Sequence, residues 1–194
     1  MERMRTAALV VATLSMGFVA SIFVHWSNTI MPALRSTDDR TFVTAFQQLD
    51  DAIANPLFIG FGFLGALLFT ALAGALQLPG GRTRALPWIA AALAFYLAAF
   101  VITIAVNEPL NTEIRDAGDP SRIADLAAVR DALKESTWVA WNHVRSILSV
   151  AAFGCLLWAL VQHGRTLRPA PSAPGQSPTI TQGSESWSSP KASR

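Results

Sequence analysis

The chain has 194 residues, of which 52% are hydrophobic and only 14% are charged. Ordinary soluble domains carry about 25% charged residues, so this composition argues against a soluble domain. A formal net charge of +2 is too small to indicate a nucleic-acid partner. The single cysteine, Cys155, excludes an internal disulfide and dithiol redox chemistry within the chain.

Four long stretches of the sequence lack Asp, Glu, Lys and Arg altogether. A helix that crosses a bilayer needs about 20 mostly apolar residues, and its backbone must satisfy its own hydrogen bonds. The sequence therefore predicts an all-α fold, a four-helix transmembrane bundle with spans at 6–26, 56–78, 86–107 and 138–162. The first apolar run is longer than a signal-peptide core of about 7–15 residues, so we expect an uncleaved helix.

Basic and acidic residues divide between the two ends of these helices. The short segments at one end carry arginines: Arg3, Arg5, Arg82, Arg84, Arg165 and Arg168. The long connections, 27–54 and 108–137, carry most of the acids. The positive-inside rule therefore predicts a multi-pass protein of the plasma membrane with both termini in the cytoplasm and the long loops outside.

Both long loops show helical periodicity. In the first loop the apolar residues Phe42, Phe46, Leu49 and Ile53 share one face, and Asn55-Pro56 ends that helix and starts the second span. In the second loop Asp119-Pro120 predicts a helix start, followed at helical spacing by Ile123, Leu126, Val129 and Leu133. Two amphipathic helices are expected, which either lie in the headgroup layer or cap the outer mouth of the bundle.

The C-terminal segment differs in composition from the rest. It is rich in Pro, Ser, Gly and Thr and nearly lacks large apolar residues, so it cannot bury enough surface to fold. We therefore divide the chain into a transmembrane domain, 1–164, and a disordered cytoplasmic tail, 165–194.

Polar residues form stripes on three of the predicted spans, and each stripe lies toward the outer end of its helix. The stripe in the fourth span is the clearest, with residues spaced by four, three and four: Trp138, Asn142, Arg145 and Ser149. The first span offers Ser21, His25, Asn28 and Thr29, and the third offers Tyr96, Phe100, Thr103 and Asn107. We expect the Met31-Pro32 pair to end or kink the first helix just beyond its stripe.

Arg145 is the residue of these stripes that most needs a partner. Polar groups inside a bilayer usually face the bundle interior and one another, and a guanidinium requires a carboxylate, carbonyls or an anionic ligand. Glu108, at the end of the third span, is the nearest candidate by depth. The alternative is that the polar residues only hold the helices together, or that Arg145 extends outward as an anchor.

The histidines suggest two further possibilities. His25 lies on the polar stripe of the first span, whereas His143 lies off the stripe of the fourth. Two histidines at one depth can ligate haem, but the position of His143 argues against that arrangement. His25 is therefore the preferred candidate for proton-transfer chemistry.

Three sequence elements resemble the anthrone oxygenase-like family of small membrane proteins. They are Met31-Pro32-Ala33-Leu34 after the first span, Val106-Asn107-Glu108-Pro109-Leu110-Asn111 after the third, and Trp138-x-x-Trp141-Asn142-x-x-Arg145-Ser146 opening the fourth. The resemblance covers roughly residues 8–160. It implies an oxygenase that needs no cofactor or metal, with site residues Asn107, Asn111, Trp138, Asn142 and Arg145, and with Glu108 inside the motif.

The residues offer a physical basis for that reaction on a hydrophobic aromatic or polyketide-like substrate. His25 is the hypothesised base, because its reference pKa of about 6.5 suits proton transfer at neutral pH. Arg145 with Asn107 or Asn142 would hold the developing oxyanion. Trp138, Phe100 and Tyr96 would pack the flat substrate, with Asn111 and Glu108 nearby. The alternative is a non-enzymatic membrane protein that binds a ligand or lipid or acts as a partner subunit; the oligomeric state stays open.

Overall fold

The computed structural model describes residues 1–80 and 84–166, and helices are the only regular elements in these two ranges. The long and medium helices are α1 (Glu2–Arg35), α2 (Asp39–Ile53), α3 (Leu57–Gln77), α4 (Leu86–Arg115), α5 (Leu126–Ala132) and α6 (Glu135–Thr166), and a short 3₁₀-helix, Leu78–Gly80, follows α3. Four helical segments are long and apolar enough to cross a membrane: α1, α3, α4 and the segment that α5 and α6 form together. The predicted all-α bundle with four spans is confirmed.

Some of the predicted features lie outside these two ranges. The described part of the chain ends within the predicted tail, at Thr166, and the short loop 81–83 contains Arg82. The disordered tail, its boundary at residue 165 and the placement of Arg82 and Arg168 therefore stay predictions.

The four long helices form a closed ring in which each packs against two others. Helix α6 contacts α1 and α4, and α3 contacts the same two helices. Small and medium apolar residues fill the centre, among them Leu9, Met16, Ala92 and Leu156, each fully buried. This packing gives every helix one inward face and leaves large apolar residues exposed on the opposite face.

Three stretches of the long helices adopt the wider π-helical conformation: Trp26–Ile30 in α1, Leu57–Leu64 in α3 and Thr103–Asn107 in α4. In α1 and α4 a proline lies just beyond the π-helical stretch, at Pro32 and Pro109. A proline inside an α-helix lacks an N–H group and collides with the carbonyl one turn earlier, and a wider turn relieves both problems. Helix α1 therefore continues to Arg35, so of the two predicted outcomes, an end or a kink at Met31-Pro32, the first is wrong.

The amphipathic helices α2 and α5 cover one end of the bundle, which we call the capped end. Phe42, Phe46 and Leu133 from these loops are buried against Ile114 and Trp138 of the long helices. This arrangement favours the capping alternative over helices lying apart in the headgroup layer.

The boundary that the sequence predicts between α2 and the second span is confirmed. Helix α2 ends at Ile53, and α3 begins at Leu57, directly after Asn55-Pro56. The Asn55 side-chain oxygen accepts hydrogen bonds from the first two N–H groups of α3, at 3.0 Å each. These groups have no partner within the helix, so the asparagine caps its start.

The second loop departs from its predicted helix start. Asp119 and Pro120 form a turn, in which the Asp119 carboxylate accepts the N–H of Ser121 at 2.9 Å. Helix α5 begins seven residues after Asp119, at Leu126, where the Asp125 carboxylate accepts the N–H of Ala128 at 3.0 Å. Both sites offer an aspartate cap followed by apolar residues, and packing of Leu126, Val129 and Leu133 on the capped end selects the later one.

Two glycines of similar helical setting should respond in opposite directions to alanine. A Cβ at Gly65 would lie 2.8 Å from the carbonyl oxygen of Gly60, whereas a Cβ at Gly154 would meet nothing within 4 Å. We expect Gly65→Ala to lower the free energy of unfolding by about 1–3 kcal/mol through overpacking. Gly154→Ala should raise it by about 0.5–1 kcal/mol, because alanine favours a helix over glycine. Unfolding in mixed micelles, followed by tryptophan fluorescence, measures both; equal shifts of the two variants would contradict the steric argument.

Candidate functional site

A partly enclosed cavity of about 450 Å³ lies between the helices at the capped end. All three π-helical segments line it, through Trp26 in α1, Phe58, Ile59 and Phe63 in α3, and Thr103 and Ile104 in α4. π-Helical turns are rare and often occur at functional sites, because they redirect the side chains that follow. Their coincidence at one cavity marks it as the candidate site.

Arg145 lines this cavity with only 6% of its surface exposed. Its Nε donates to the side-chain oxygen of Asn142 at 2.6 Å, and Nη1 donates a longer bond to Thr103 Oγ1 at 3.4 Å. The guanidinium carbon lies 4.4 Å from the ring centre of Phe23 and 5.4 Å from that of Trp138. A guanidinium carries five N–H donors, so several remain for a ligand in the cavity.

Within residues 1–80 and 84–166, no carboxylate lies within 4.0 Å of the Arg145 guanidinium. Glu108, the nearest candidate by depth, is not its partner and instead accepts from Arg115 Nη1 at 3.0 Å. Arg115 lies seven residues further along α4, on the same side of the helix. A buried cation that lacks a paired carboxylate favours an anionic group beside it.

Asn142 holds Arg145 against helix α1. Its amide nitrogen donates to Ser27 Oγ at 2.6 Å and to the backbone oxygen of Phe23 at 3.2 Å. Ser27 Oγ also lies 3.1 Å from Ser146 Oγ, so the contact between α1 and α6 is polar and buried here. Asn142, Arg145 and the rest of the predicted fourth-span stripe, Trp138 and Ser149, are all buried, as the spacing indicated.

Helix α1 presents a different face from the one its polar residues suggested. Ser21, His25, Asn28 and Thr29 are exposed, whereas Phe23, Trp26 and Ser27 face the bundle. The structure therefore does not bring His25 to Arg145 or to the cavity. His143 is also exposed, and its Nδ1 lies 2.8 Å from the backbone oxygen of Val139. Neither histidine is placed to act on a ligand in the cavity.

Three other predicted residues lie behind the cavity wall. Tyr96 is fully buried and donates its hydroxyl to the backbone oxygen of Phe63 at 2.9 Å. Phe100 stacks on the Phe63 ring, with centroids 4.6 Å apart. Asn107 donates to the backbone oxygen of Trp138 at 3.2 Å, and its own side-chain oxygen has no partner among the described residues. These residues position the wall that Phe63 and Trp138 form.

A chain of hydrogen bonds connects Trp138 to the polar rim of the cavity. The indole N–H of Trp138 donates to Asn111 Oδ1 at 2.6 Å, and Asn111 Nδ2 donates to Asp50 Oδ1 at 2.9 Å. Arg115 donates to Asp50 Oδ2 through Nε at 2.8 Å and through Nη2 at 2.6 Å. Asn111 and Glu108, both predicted, thus join the site through two residues that were not predicted, Asp50 and Arg115.

Asp50 is the most buried carboxylate of the site, with 7% of its surface exposed. Burial raises the pKa of Asp50, and the hydrogen bonds from Arg115 oppose this rise without cancelling it. The sequence did contain a signal for this residue. Asp50 follows Phe42 and Phe46 at four-residue steps, which places it on the buried face of α2.

Comparison with known protein families shows which family this chain belongs to. A model of the family described as "Anthrone oxygenase" matches residues 54–155, more than half of the chain. The chain belongs to the anthrone oxygenase family. It matches no curated protein and no solved structure.

The region shared with the anthrone oxygenase family contains one part of the site and omits another. It includes α3, α4, α5 and most of α6, and therefore the five residues that the resemblance implied: Asn107, Asn111, Trp138, Asn142 and Arg145. Helices α1 and α2 lie outside it, although they supply Phe23, Trp26, Ser27 and Asp50. The cavity of this family member is therefore completed by residues that precede the matched region.

Proposed function

We propose that this protein is a membrane-embedded oxidoreductase that uses dioxygen, without a cofactor, to oxidise a flat aromatic or polyketide-like substrate, as its family name implies. The observation that carries the proposal is the guanidinium of Arg145, which lies in an aromatic cavity and has donors to spare. A substrate that becomes anionic during the reaction would be stabilised there more than in its neutral form. Such differential stabilisation is the basis of catalysis.

The chemistry begins with an activated CH₂ group between aromatic rings, as in an anthrone. Loss of one proton from carbon gives an enolate whose charge lies largely on the carbonyl oxygen, and this oxygen accepts hydrogen bonds from Arg145. The electron-rich enolate then reduces dioxygen. In the complete reaction, anthrone and one O₂ give anthraquinone and one water, so the substrate is its own reductant. Asn142 and Thr103 hold Arg145 in place for this role.

The cavity suits a flat aromatic substrate in size and lining. Its volume of about 450 Å³ lies within the range of about 300–1,000 Å³ typical of small-molecule sites. Aromatic rings line it from three helices, namely Phe23, Trp26, Phe58, Phe63 and Trp138. Stacked and edge-to-face contacts with such rings favour polycyclic ligands. Tyr96, Phe100 and Asn107 support these walls from behind, and His25 takes no part.

Oxygen uptake tests the proposal directly. Purified protein in lipid nanodiscs is supplied with anthrone, and dissolved oxygen and anthraquinone are followed together, with empty nanodiscs as the background. We expect consumption of one O₂ for each anthraquinone formed, at a rate proportional to protein concentration. Binding of anthraquinone, seen as quenching of tryptophan fluorescence, without any oxygen uptake above background would overturn the enzymatic function and indicate a ligand-binding protein.

We further propose that the capped end faces outward across the plasma membrane and that both termini are cytoplasmic. The acidic residues of the long loops and the arginines near the opposite end support this orientation under the positive-inside rule. In a Cys155→Ser background, an Asp116→Cys variant should react with a membrane-impermeant maleimide on intact cells. Labelling only after the cells are opened would show instead that the capped end faces the cytoplasm.

A further inference from the structure

Because His25 lies outside the cavity, another residue must accept the substrate proton in the proposed reaction. The titratable side chains that line the cavity are two guanidinium groups, those of Arg115 and Arg145, and three carboxylates: Asp50, Asp51 and Glu108. Asp51 is exposed to solvent, and Glu108 is half-exposed and bonded to Arg115. Asp50 alone combines burial with a place in the cavity wall.

The hydrogen bonds of Asp50 orient its carboxylate and still leave it able to accept a proton. Each carboxylate oxygen can accept about two hydrogen bonds. Oδ2 accepts two from Arg115, whereas Oδ1 accepts one, from Asn111. Oδ1 can therefore still accept one more hydrogen bond or a proton. Asn111 and Arg115 hold the carboxylate in a fixed orientation.

We propose that Asp50 is the proton acceptor of this site and that Arg145 stabilises the anion that its action creates. The inference rests on the proposed function, because it concerns the first step of that reaction. The Oδ1 atom forms an O–H bond as the C–H bond of the substrate CH₂ breaks. The C–H electron pair moves into the ring system and onto the carbonyl oxygen beside Arg145. This step consumes no oxidant and occurs before dioxygen reacts.

The surroundings of Asp50 suit a base at neutral pH. Burial raises the pKa of Asp50 and so makes its carboxylate more basic than an exposed aspartate, since the charged form loses solvation. The charged groups that face it are Arg115 and Glu108 from α4 and Asp51 from α2. Arg115, which bonds Asp50 directly, and Glu108, which bonds Arg115, are both partly exposed, so the acquired proton lies close to the solvent-exposed rim of the cavity.

Isotope exchange without oxygen isolates this step. Under nitrogen, in D₂O, wild-type protein in nanodiscs should speed the replacement of the anthrone CH₂ protons by deuterium, which proton NMR follows directly. Asp50→Asn should lower the protein-catalysed rate by about 10²-fold, the lower end of the usual effect of a general base. The matched control is Asp116→Asn, which removes an exposed aspartate at the end of α4 and should exchange at the wild-type rate.

The pH dependence distinguishes a base from a residue that only positions others. Only the ionised form accepts a proton, so exchange should rise with pH through the raised pKa of Asp50 and then level off. This rise should be absent from Asp50→Asn and present, though shifted, in Asp50→Glu, which keeps a carboxylate. Binding of anthraquinone to both variants, measured by tryptophan quenching, verifies that they are folded.

The outcomes separate this inference from the proposed function. Wild-type exchange in Asp50→Asn, with binding retained, overturns Asp50 as the base and leaves the oxygenase proposal standing. Asp50-dependent exchange without oxygen uptake supports the proton transfer and overturns the oxygenase proposal. If Asp50→Asn does not fold, Asp50→Glu provides the test instead. Exchange in Asp50→Glu at the wild-type rate and with the wild-type pH profile would then overturn the inference.

Discussion

Replacing Arg145 by methionine is expected to lower oxygen-dependent turnover by about 10²–10³-fold, the usual loss when a donor to a developing oxyanion is removed. The bundle should nevertheless stay folded. Arg145 is buried and pairs with no carboxylate of the described residues, so methionine replaces a costly buried charge with an apolar chain. Replacing a whole buried ion pair by apolar residues is often neutral or stabilising, by about 1–4 kcal/mol, and we expect the removal of a lone buried guanidinium to be tolerated for the same reason.

The Arg145→Met experiment measures oxygen uptake with anthrone and the free energy of unfolding in mixed micelles on the same preparation. Arg122→Met is the matched control, since its side chain is 87% exposed and lies in the loop before α5. His25→Ala serves as a second control and should keep full turnover, because His25 is exposed outside the cavity. Wild-type turnover in Arg145→Met would remove the guanidinium from the mechanism, and loss of turnover in His25→Ala would restore the base that the sequence suggested.

Asn142→Leu is expected to lower the free energy of unfolding by about 3 kcal/mol, the upper end of the contribution of a hydrogen bond to a charged group. Asn142 accepts from Arg145 Nε at 2.6 Å and donates to Ser27 Oγ at 2.6 Å. Leucine fills the space but makes neither bond. Turnover should fall as well, because Arg145 loses the contact that holds it toward the cavity.

A double-mutant cycle gives the sharper test of the Asn142 prediction. When Arg145 is already methionine, Asn142→Leu no longer leaves a buried cation unpaired, so the double variant should be more stable than Asn142→Leu alone. Asn28→Leu is the matched control, because Asn28 is exposed on α1 and its replacement should cost little. Additive effects in the cycle would mean that Asn142 and Arg145 do not depend on each other for stability.

The four-span bundle could be predicted from the sequence because its cause is local. Charge-free stretches of sufficient length must be helical in a bilayer, whichever neighbours they acquire. The stripe Trp138, Asn142, Arg145 and Ser149 was also predicted correctly, since the positions of residues on one helix depend only on the helical repeat. The apolar residues of the loops likewise predicted the two loop helices, apart from the starting point of α5, but left open whether these helices cap the bundle.

The residues of other helices that contact these side chains could not be predicted from helical spacing. Helical spacing states which side chains share a face but not which face meets another helix, so the polar face of α1 was chosen, and His25 with it. The pairing of Arg115 with Asp50 joins α4 to α2, and Arg115 also bonds Glu108, which therefore does not pair with Arg145. Such contacts depend on how two distant segments pack, which no local pattern contains.

The sequence by itself therefore determined the number of membrane helices, the apolar loop helices and the buried stripe that carries Arg145, because each depends on neighbouring residues along one helix. Only the tertiary structure decided where the cavity lies, that three π-helical segments line it, and that Asp50 rather than His25 belongs to it. The physical reason is that a site between helices is defined by their mutual rotation and separation, which side-chain packing across the whole bundle sets.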